Sequence, residues 1–133
     1  MTQIITPFLM FEGAAEDAMQ FYVSLFDDCR IVSVERWGAH DVGAEGKVKK
    51  AQFILCGRSF YCSDSPIEHG FTFTPSLSLF IDLDSEASLE RAFSQLVEGG
   101  KVLMPIDDYG FSKKFGWVND RFGVSWQLNV PSR

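Results

Sequence analysis

One order of elements, a strand, a helix and three strands, runs through this chain twice with a period of about 70 residues. In the first copy Ile4 to Phe11 is apolar and stops at Glu12-Gly13, which predicts a strand. Ala14 to Phe26 then carries Ala15, Ala18, Met19, Tyr22, Leu25 and Phe26 at helical spacing. Ile31 to Trp37 is β-branched in character, Gly38 to Gly46 is a glycine-rich loop, and Lys50 to Leu55 with Ser59 to Cys62 predicts a hairpin about Gly57-Arg58. The second copy starts after Pro75. Leu77 to Leu83 predicts a strand, and Ser85 to Val97 a helix whose buried stripe is Leu89, Ala92, Phe93, Leu96 and Val97. Asp84 or Ser85 supplies its N-cap and Gly99-Gly100 its stop. Lys101 to Pro105, Lys114 to Val118 and Ser125 to Val130 complete the unit.

Two long copies do not make a solenoid, which stacks three or more short repeats. They point to an α+β fold of two βαβββ modules, about 1–70 and about 71–133, within a single domain 1–133. Each sheet carries its helix on one face, and the other faces form a curved mixed sheet around a cavity. A chain of 133 residues has the length for this, burying about two-thirds of the surface its unfolded form exposes.

Composition limits the partners. A net charge of −6 disfavours nucleic acid, which selects faces rich in Lys and Arg. The short basic runs Lys47-Val48-Lys49-Lys50 and Lys113-Lys114 read as solvated strand edges. Ile4 to Phe11 is too short to span a bilayer and has neither a basic segment before it nor a small-residue cleavage site after it, so a cytoplasmic protein without membrane contact is expected. Cys29, Cys56 and Cys62 are odd in number and irregularly spaced, which favours reduced thiols over a disulfide frame. His40 and His69 lie in loop contexts and read as solvent-exposed. Thirteen Phe and three Trp are enough rings to line a pocket or a subunit contact as well as a core.

The long C-terminal stretch from Met104 through Tyr109-Gly110-Phe111 and Trp117-Val118-Asn119-Asp120-Arg121-Phe122-Gly123 to Leu128 resembles the PhnB-like proteins. So do Ile5 to Phe11 and Ala15 to Tyr22. These proteins belong to the vicinal-oxygen-chelate superfamily of glyoxalases, bleomycin-resistance proteins and extradiol dioxygenases. They often carry the label of a 3-demethylubiquinone-9 3-methyltransferase-like domain. Methyl transfer is not expected from this chain, because the turn after the first strand, Glu12-Gly13-Ala14, has one glycine, and Gly99-Gly100 follows a helix instead of preceding one.

The metal-dependent members of the superfamily hold a divalent ion with His and Glu from four strands. The resemblance places those positions at Thr6, Gln52, Ser78 and Gln127, with Thr6 matching Ser78 and Gln52 matching Gln127 across the repeat. Strand alternation turns Ile4, Thr6, Phe8 and Met10 to the cavity and Ile5, Pro7, Leu9 and Phe11 to the helix. Likewise Ser78 and Phe80 face inward, Leu77, Leu79, Ile81 and Leu83 face the helix, and Ser125, Gln127 and Asn129 alternate with Val124, Trp126 and Leu128. Hydroxyls and amides are weak ligands for transition metals, so no cofactor is expected. They orient a polar organic molecule, or they fill a polar interior.

Pairing Ile54 with Tyr61 puts Tyr61 and Gln52 on one face, and Tyr109, Phe111, Phe115 and Trp117 flank the second half. The expected cavity residues are therefore Thr6, Phe8, Gln52, Tyr61, Ser78, Phe80, Trp117 and Gln127. No catalytic set is evident. The resemblance implies a metal-independent protein that binds a small organic molecule, working as a homodimer. A lyase, isomerase or dioxygenase using a weakly held divalent ion is the alternative.

Overall fold

The computed structural model describes residues 2–132. It has ten elements: β1 (Phe8–Phe11), α1 (Ala15–Val23), β2 (Arg30–Arg36), β3 (Val48–Leu55), β4 (Arg58–Asp64), β5 (Ser78–Asp82), α2 (Glu86–Val97), β6 (Lys101–Asp107), β7 (Lys114–Asn119) and β8 (Ser125–Val130). They fall into two compact units, residues 1–70 and 71–133. Each unit is one four-stranded mixed sheet with one helix, in the orders β1-β4-β3-β2 and β5-β8-β7-β6. The fold class is α+β, and β1 to β4 correspond in turn to β5 to β8.

In the first unit the helix covers the face carrying Leu9, Phe11, Ala51, Phe53, Leu55, Phe60 and Cys62, all buried. From α1 the buried residues Ala15, Ala18, Met19 and Tyr22 meet them. Large apolar side chains buried this completely contribute roughly 1.5–3 kcal/mol each. Ala14, the N-cap residue of α1, offers no side-chain acceptor. Asp64 at the end of β4 supplies one instead: its Oδ1 accepts from Gly13 N at 2.7 Å and Ala15 N at 3.0 Å, and its Oδ2 accepts from Val48 N at 3.0 Å. One carboxylate thus joins the start of the helix to two strands and satisfies donors the helix cannot satisfy itself.

In the second unit Ser85 caps its own helix, its Oγ accepting from Ser88 N at 3.1 Å. Leu89, Ala92, Phe93 and Leu96 lie buried on the sheet against Val118, Trp126 and Leu128. Gly116 makes that approach possible, since a Cβ there would stand 2.8 Å from the Phe93 ring. Asp120 holds the β7–β8 turn, with Oδ1 accepting from Phe122 N and Val124 N at 2.8 and 3.0 Å and Oδ2 from Trp126 Nε1 at 3.0 Å.

Three expectations are corrected. The first strand begins at Phe8, leaving Ile4 and Ile5 81% and 97% exposed, so Ile5 does not pack under the helix. Leu77 precedes β5 and is likewise exposed instead of facing the helix. The first hairpin turns at Cys56-Gly57, both with positive φ (51° and 81°), and pairs Leu55 with Arg58, Ile54 with Ser59 and Gln52 with Tyr61. A two-residue turn of this kind needs both central residues left-handed, which Gly57 adopts freely and Cys56 at a cost of about 1 kcal/mol.

Candidate functional site

The helix-free faces carry the residues expected to meet a ligand. On the first sheet a row of strand partners runs Ser33, Gln52, Tyr61 and Phe8 from β2 to β1. Phe8 sets its ring edge to face against Tyr61 with centroids 6.0 Å apart, and Lys50 Nζ lies 4.4 Å over the Tyr61 ring. Gln52 Nε2 donates to Ser59 Oγ at 3.2 Å. Thr6 is half-buried and lies ahead of β1, outside the strand.

On the second sheet the corresponding row is Met104, Trp117, Gln127 and Phe80. Below it runs Lys101, Asn119, Ser125 and Ser78, and above it Asp107, Phe115, Asn129 and Asp82. Three of the expected residues meet through Ser125, which is 1% exposed. Its Oγ accepts from Trp117 Nε1 at 2.8 Å and shares a 2.7 Å hydrogen bond with Ser78 Oγ, which accepts from Gln127 Nε2 at 3.1 Å. This chain locks the Trp117 indole and the Gln127 amide in place. Phe80 stands on the neighbouring strand, 55% exposed.

Strand order also corrects the pairing across the repeat. Gln52 is on β3 and Gln127 on β8, so they do not occupy equivalent places. Gln52 holds the place of Trp117, and Tyr61 that of Gln127; Thr6 and Ser78 do correspond, each two residues before the Phe8 and Phe80 of matching rows.

Ser125, Asn119 and Asn129 stand in the rows beside the expected residues without being among them. Alternation had put Ser125 and Asn129 on the right face, and the further signal was that they flank Gln127 on a strand whose other residues are all buried. Asn119 Oδ1 and Asn129 Oδ1 are buried without a protein partner. Unpaired buried acceptors are uncommon and each costs about 1–3 kcal/mol.

Groups outside these faces are committed elsewhere. Glu16 pairs with Arg36 at 2.7 Å, and that guanidinium holds its carboxyl below the usual range. His69 is not a free loop histidine, because its Nε2 hydrogen-bonds Ser65 Oγ at 2.8 Å and its backbone N donates to Glu12. Burial pushes the Cys62 thiol up to about 12, while Cys56, exposed as a residue, is raised to about 11 by local desolvation of its thiol and by the neighbouring Cys29. Among the described residues no group of three or more His, Cys, Asp or Glu is placed to share a metal ion. Thr6, Gln52, Ser78 and Gln127 are neutral, and Ser78 and Gln127 bond each other, so this donor set does not fit a transition metal.

The profile of the 3-demethylubiquinone-9 3-methyltransferase family matches residues 3–129. The chain belongs to this family. Among solved structures it is similar to a putative 3-demethylubiquinone-9 3-methyltransferase, PhnB protein, from Bacillus cereus. The identity is 52%, the coverage 96% of this chain and 99% of that one, and the TM-score 0.94. It is also similar to protein PA1353 from Pseudomonas aeruginosa, at 27% identity, with 99% and 100% of the two chains covered and a TM-score of 0.86. A glyoxylase/bleomycin resistance protein/dioxygenase domain from Frankia shares the fold at 13% identity, with 98% and 99% covered and a TM-score of 0.64. The PhnB-like family and the glyoxalase/bleomycin-resistance fold expected from the C-terminal stretch are thus the ones found. No helix among the described residues is long and apolar enough to cross a membrane.

Proposed function

We propose that this protein binds a small organic molecule without a transition metal, contacting it through the helix-free faces of its sheets. The observation that carries the reading is the composition of the two middle rows. Ser33, Gln52, Tyr61 and Phe8, and Met104, Trp117, Gln127 and Phe80, set aromatic rings beside neutral hydrogen-bonding groups and include no carboxylate or imidazole. Such surfaces hold planar, partly polar molecules by stacking and by a few oriented hydrogen bonds. On the second sheet Phe80, Trp117 and Gln127 make the apolar and polar contacts, and on the first sheet Phe8 and Tyr61 hold the places equivalent to Phe80 and Gln127. The reading keeps the expected homodimer and cytoplasmic location.

The family's description names methyl transfer, and two features of this chain weigh against it. Each helix follows its strand through a turn without a Gly-rich cradle. Both helix starts are already occupied, that of α1 by the Asp64 carboxylate and that of α2 by the Ser85 hydroxyl.

A thermal-shift screen of aromatic and heteroaromatic compounds in the presence of a chelator tests the reading. A ligand at a hundred times its Kd adds about 2.7 kcal/mol and raises Tm on the order of 10 °C for a chain of this size. Hits that persist in chelator and vanish in Gln127→Ala are the expected result. Stabilisation by no organic compound, or only by compounds that need an added metal, overturns it.

A further inference from the structure

The turn that joins β3 to β4 is docked on the loop ahead of β2, and two cysteines meet at that junction. Gly57 N donates to the Asp28 carbonyl at 3.1 Å, and Cys56 N donates to Cys29 Sγ at 3.4 Å. The Cys29 thiol in turn donates to the Asp27 carbonyl at 3.3 Å, so two backbone groups hold its sulfur against the turn. The β2–β3 ladder starts with Arg30 opposite Ile54, which puts Cys29 one step past its end and beside Cys56. Neighbouring positions on paired strands fall within the Cα separation of roughly 4.4–6.8 Å that a disulfide spans.

Cys29 is half-buried and Cys56 exposed, so the junction is open to a small reagent. Among the described residues, Asp28 and Cys56 are the non-glycine ones with positive φ, 57° and 51°. A turn position of that kind favours Gly, Asn or Asp, and a cysteine there is held in place by its surroundings. Cys62, the third cysteine, is 0% exposed in the core, 3.9 Å from Met19 Sδ, and takes no part.

Two sulfurs held at one accessible junction of a chain without a disulfide frame have the arrangement of a reversible dithiol. We propose that Cys29 and Cys56 close an intrachain disulfide when a low-molecular-weight disulfide such as oxidised glutathione is present, and reopen in excess thiol. In the first step Cys29 Sγ attacks a glutathione sulfur, the glutathione S–S bond breaks, a mixed disulfide forms on Cys29 and one glutathione leaves. In the second, Cys56 Sγ attacks Cys29 Sγ, the mixed disulfide breaks and the other glutathione leaves. Each cysteine proton ends on a departing glutathione, so the protein loses two electrons and two protons and glutathione gains them. Cys29 acts first because the Cys56 N–H steadies negative charge on its sulfur, whereas the Cys56 thiol is raised to about 11 by local desolvation and by Cys29 itself. Closure ties the β3–β4 hairpin, which carries Gln52 and Tyr61, to the start of β2. This modification site is independent of the ligand-binding reading.

The full chain, equilibrated in glutathione redox buffers, quenched with acid and read by peptide mapping, tests the proposal. A peptide linked through Cys29 and Cys56 is expected, with Cys62 left as a thiol. In any one buffer the ratio of bridged to open chain should be about tenfold higher for the folded chain than for the chain in urea, because the fold holds the two sulfurs together. Cys56→Ser is expected to stop at the mixed disulfide on Cys29. A ratio no higher folded than in urea, bridges that join two chains or include Cys62, or a Cys56→Ser variant without glutathione on Cys29 would overturn the assignment.

Discussion

Replacing Asp64 by alanine is expected to lower the unfolding free energy by about 3 kcal/mol or more, as three backbone N–H groups lose their acceptor and each unpaired donor costs about 1–3 kcal/mol. The three are Gly13 N, Ala15 N and Val48 N, and the carboxylate that serves them is 3% exposed. Urea unfolding of the variant should show a lowered midpoint with little change in slope. Asp64→Asn separates the contributions. Its amide oxygen can still accept from Gly13 N and Ala15 N, but its NH2 meets the Val48 donor, so a smaller loss is expected. An Asp64→Ala variant within 1 kcal/mol of the parent, an order-of-magnitude threshold below the cost of one buried orphan donor, would show that α1 does not depend on this carboxylate.

Gly100→Ala is the second large effect. A Cβ at Gly100 would stand 2.1 Å from the Asn119 carbonyl oxygen and 3.0 Å from two backbone atoms of Asp120. Backbone in a turn held by three Asp120 hydrogen bonds has little room to yield, unlike the end of a flexible side chain. The expected loss is about 3 kcal/mol, at the upper end of overpacking effects, read as a drop in Tm. Gly70→Ala, with nothing within 4 Å of its added methyl and an ordinary φ, is the control expected to leave Tm unchanged. A Gly100→Ala variant with the parent's Tm would mean that the β7–β8 turn moves freely away from the end of α2.

Why some of this was legible in the sequence and some was not follows from how strands encode position. Side-chain alternation has a period of two, so the faces of Leu9 against Phe8, of Trp126 against Gln127 and of Ile81 against Phe80 were readable without any pairing. The hairpin shows the limit of that signal. Placing its turn at Gly57-Arg58 instead of Cys56-Gly57 moved the pairing by two residues, so Tyr61 and Gln52 kept a common face while the partner of Tyr61 changed from Ile54 to Gln52. The turn was hidden because Cys56 takes a left-handed conformation that a non-glycine residue seldom adopts.

Strand order was not legible either, since alternation says nothing about which strands are neighbours. Matching Gln52 to Gln127 by residue type therefore failed, where topology matches Gln127 to Tyr61. Ser125 gave no signal of its own, as a serine in a strand is ordinary until Trp117, Ser78 and, through Ser78, Gln127 are seen to converge on it. Asp64 was equally quiet. Its position on the buried side of β4, in step with Phe60 and Cys62, was the clue that its carboxylate serves the interior.

The absence of a transition metal from the binding chemistry is the claim on which the functional account turns, and elemental analysis of protein purified without chelator tests it most directly, with Tm followed as nickel, zinc, manganese and iron(II) are added in turn. The account predicts metal well below one ion per chain and an unchanged Tm, because the Thr6, Gln52, Ser78 and Gln127 side chains carry no charge and Ser78 and Gln127 are bonded to each other. A stoichiometric ion that raises Tm would contradict it and make these side chains metal ligands.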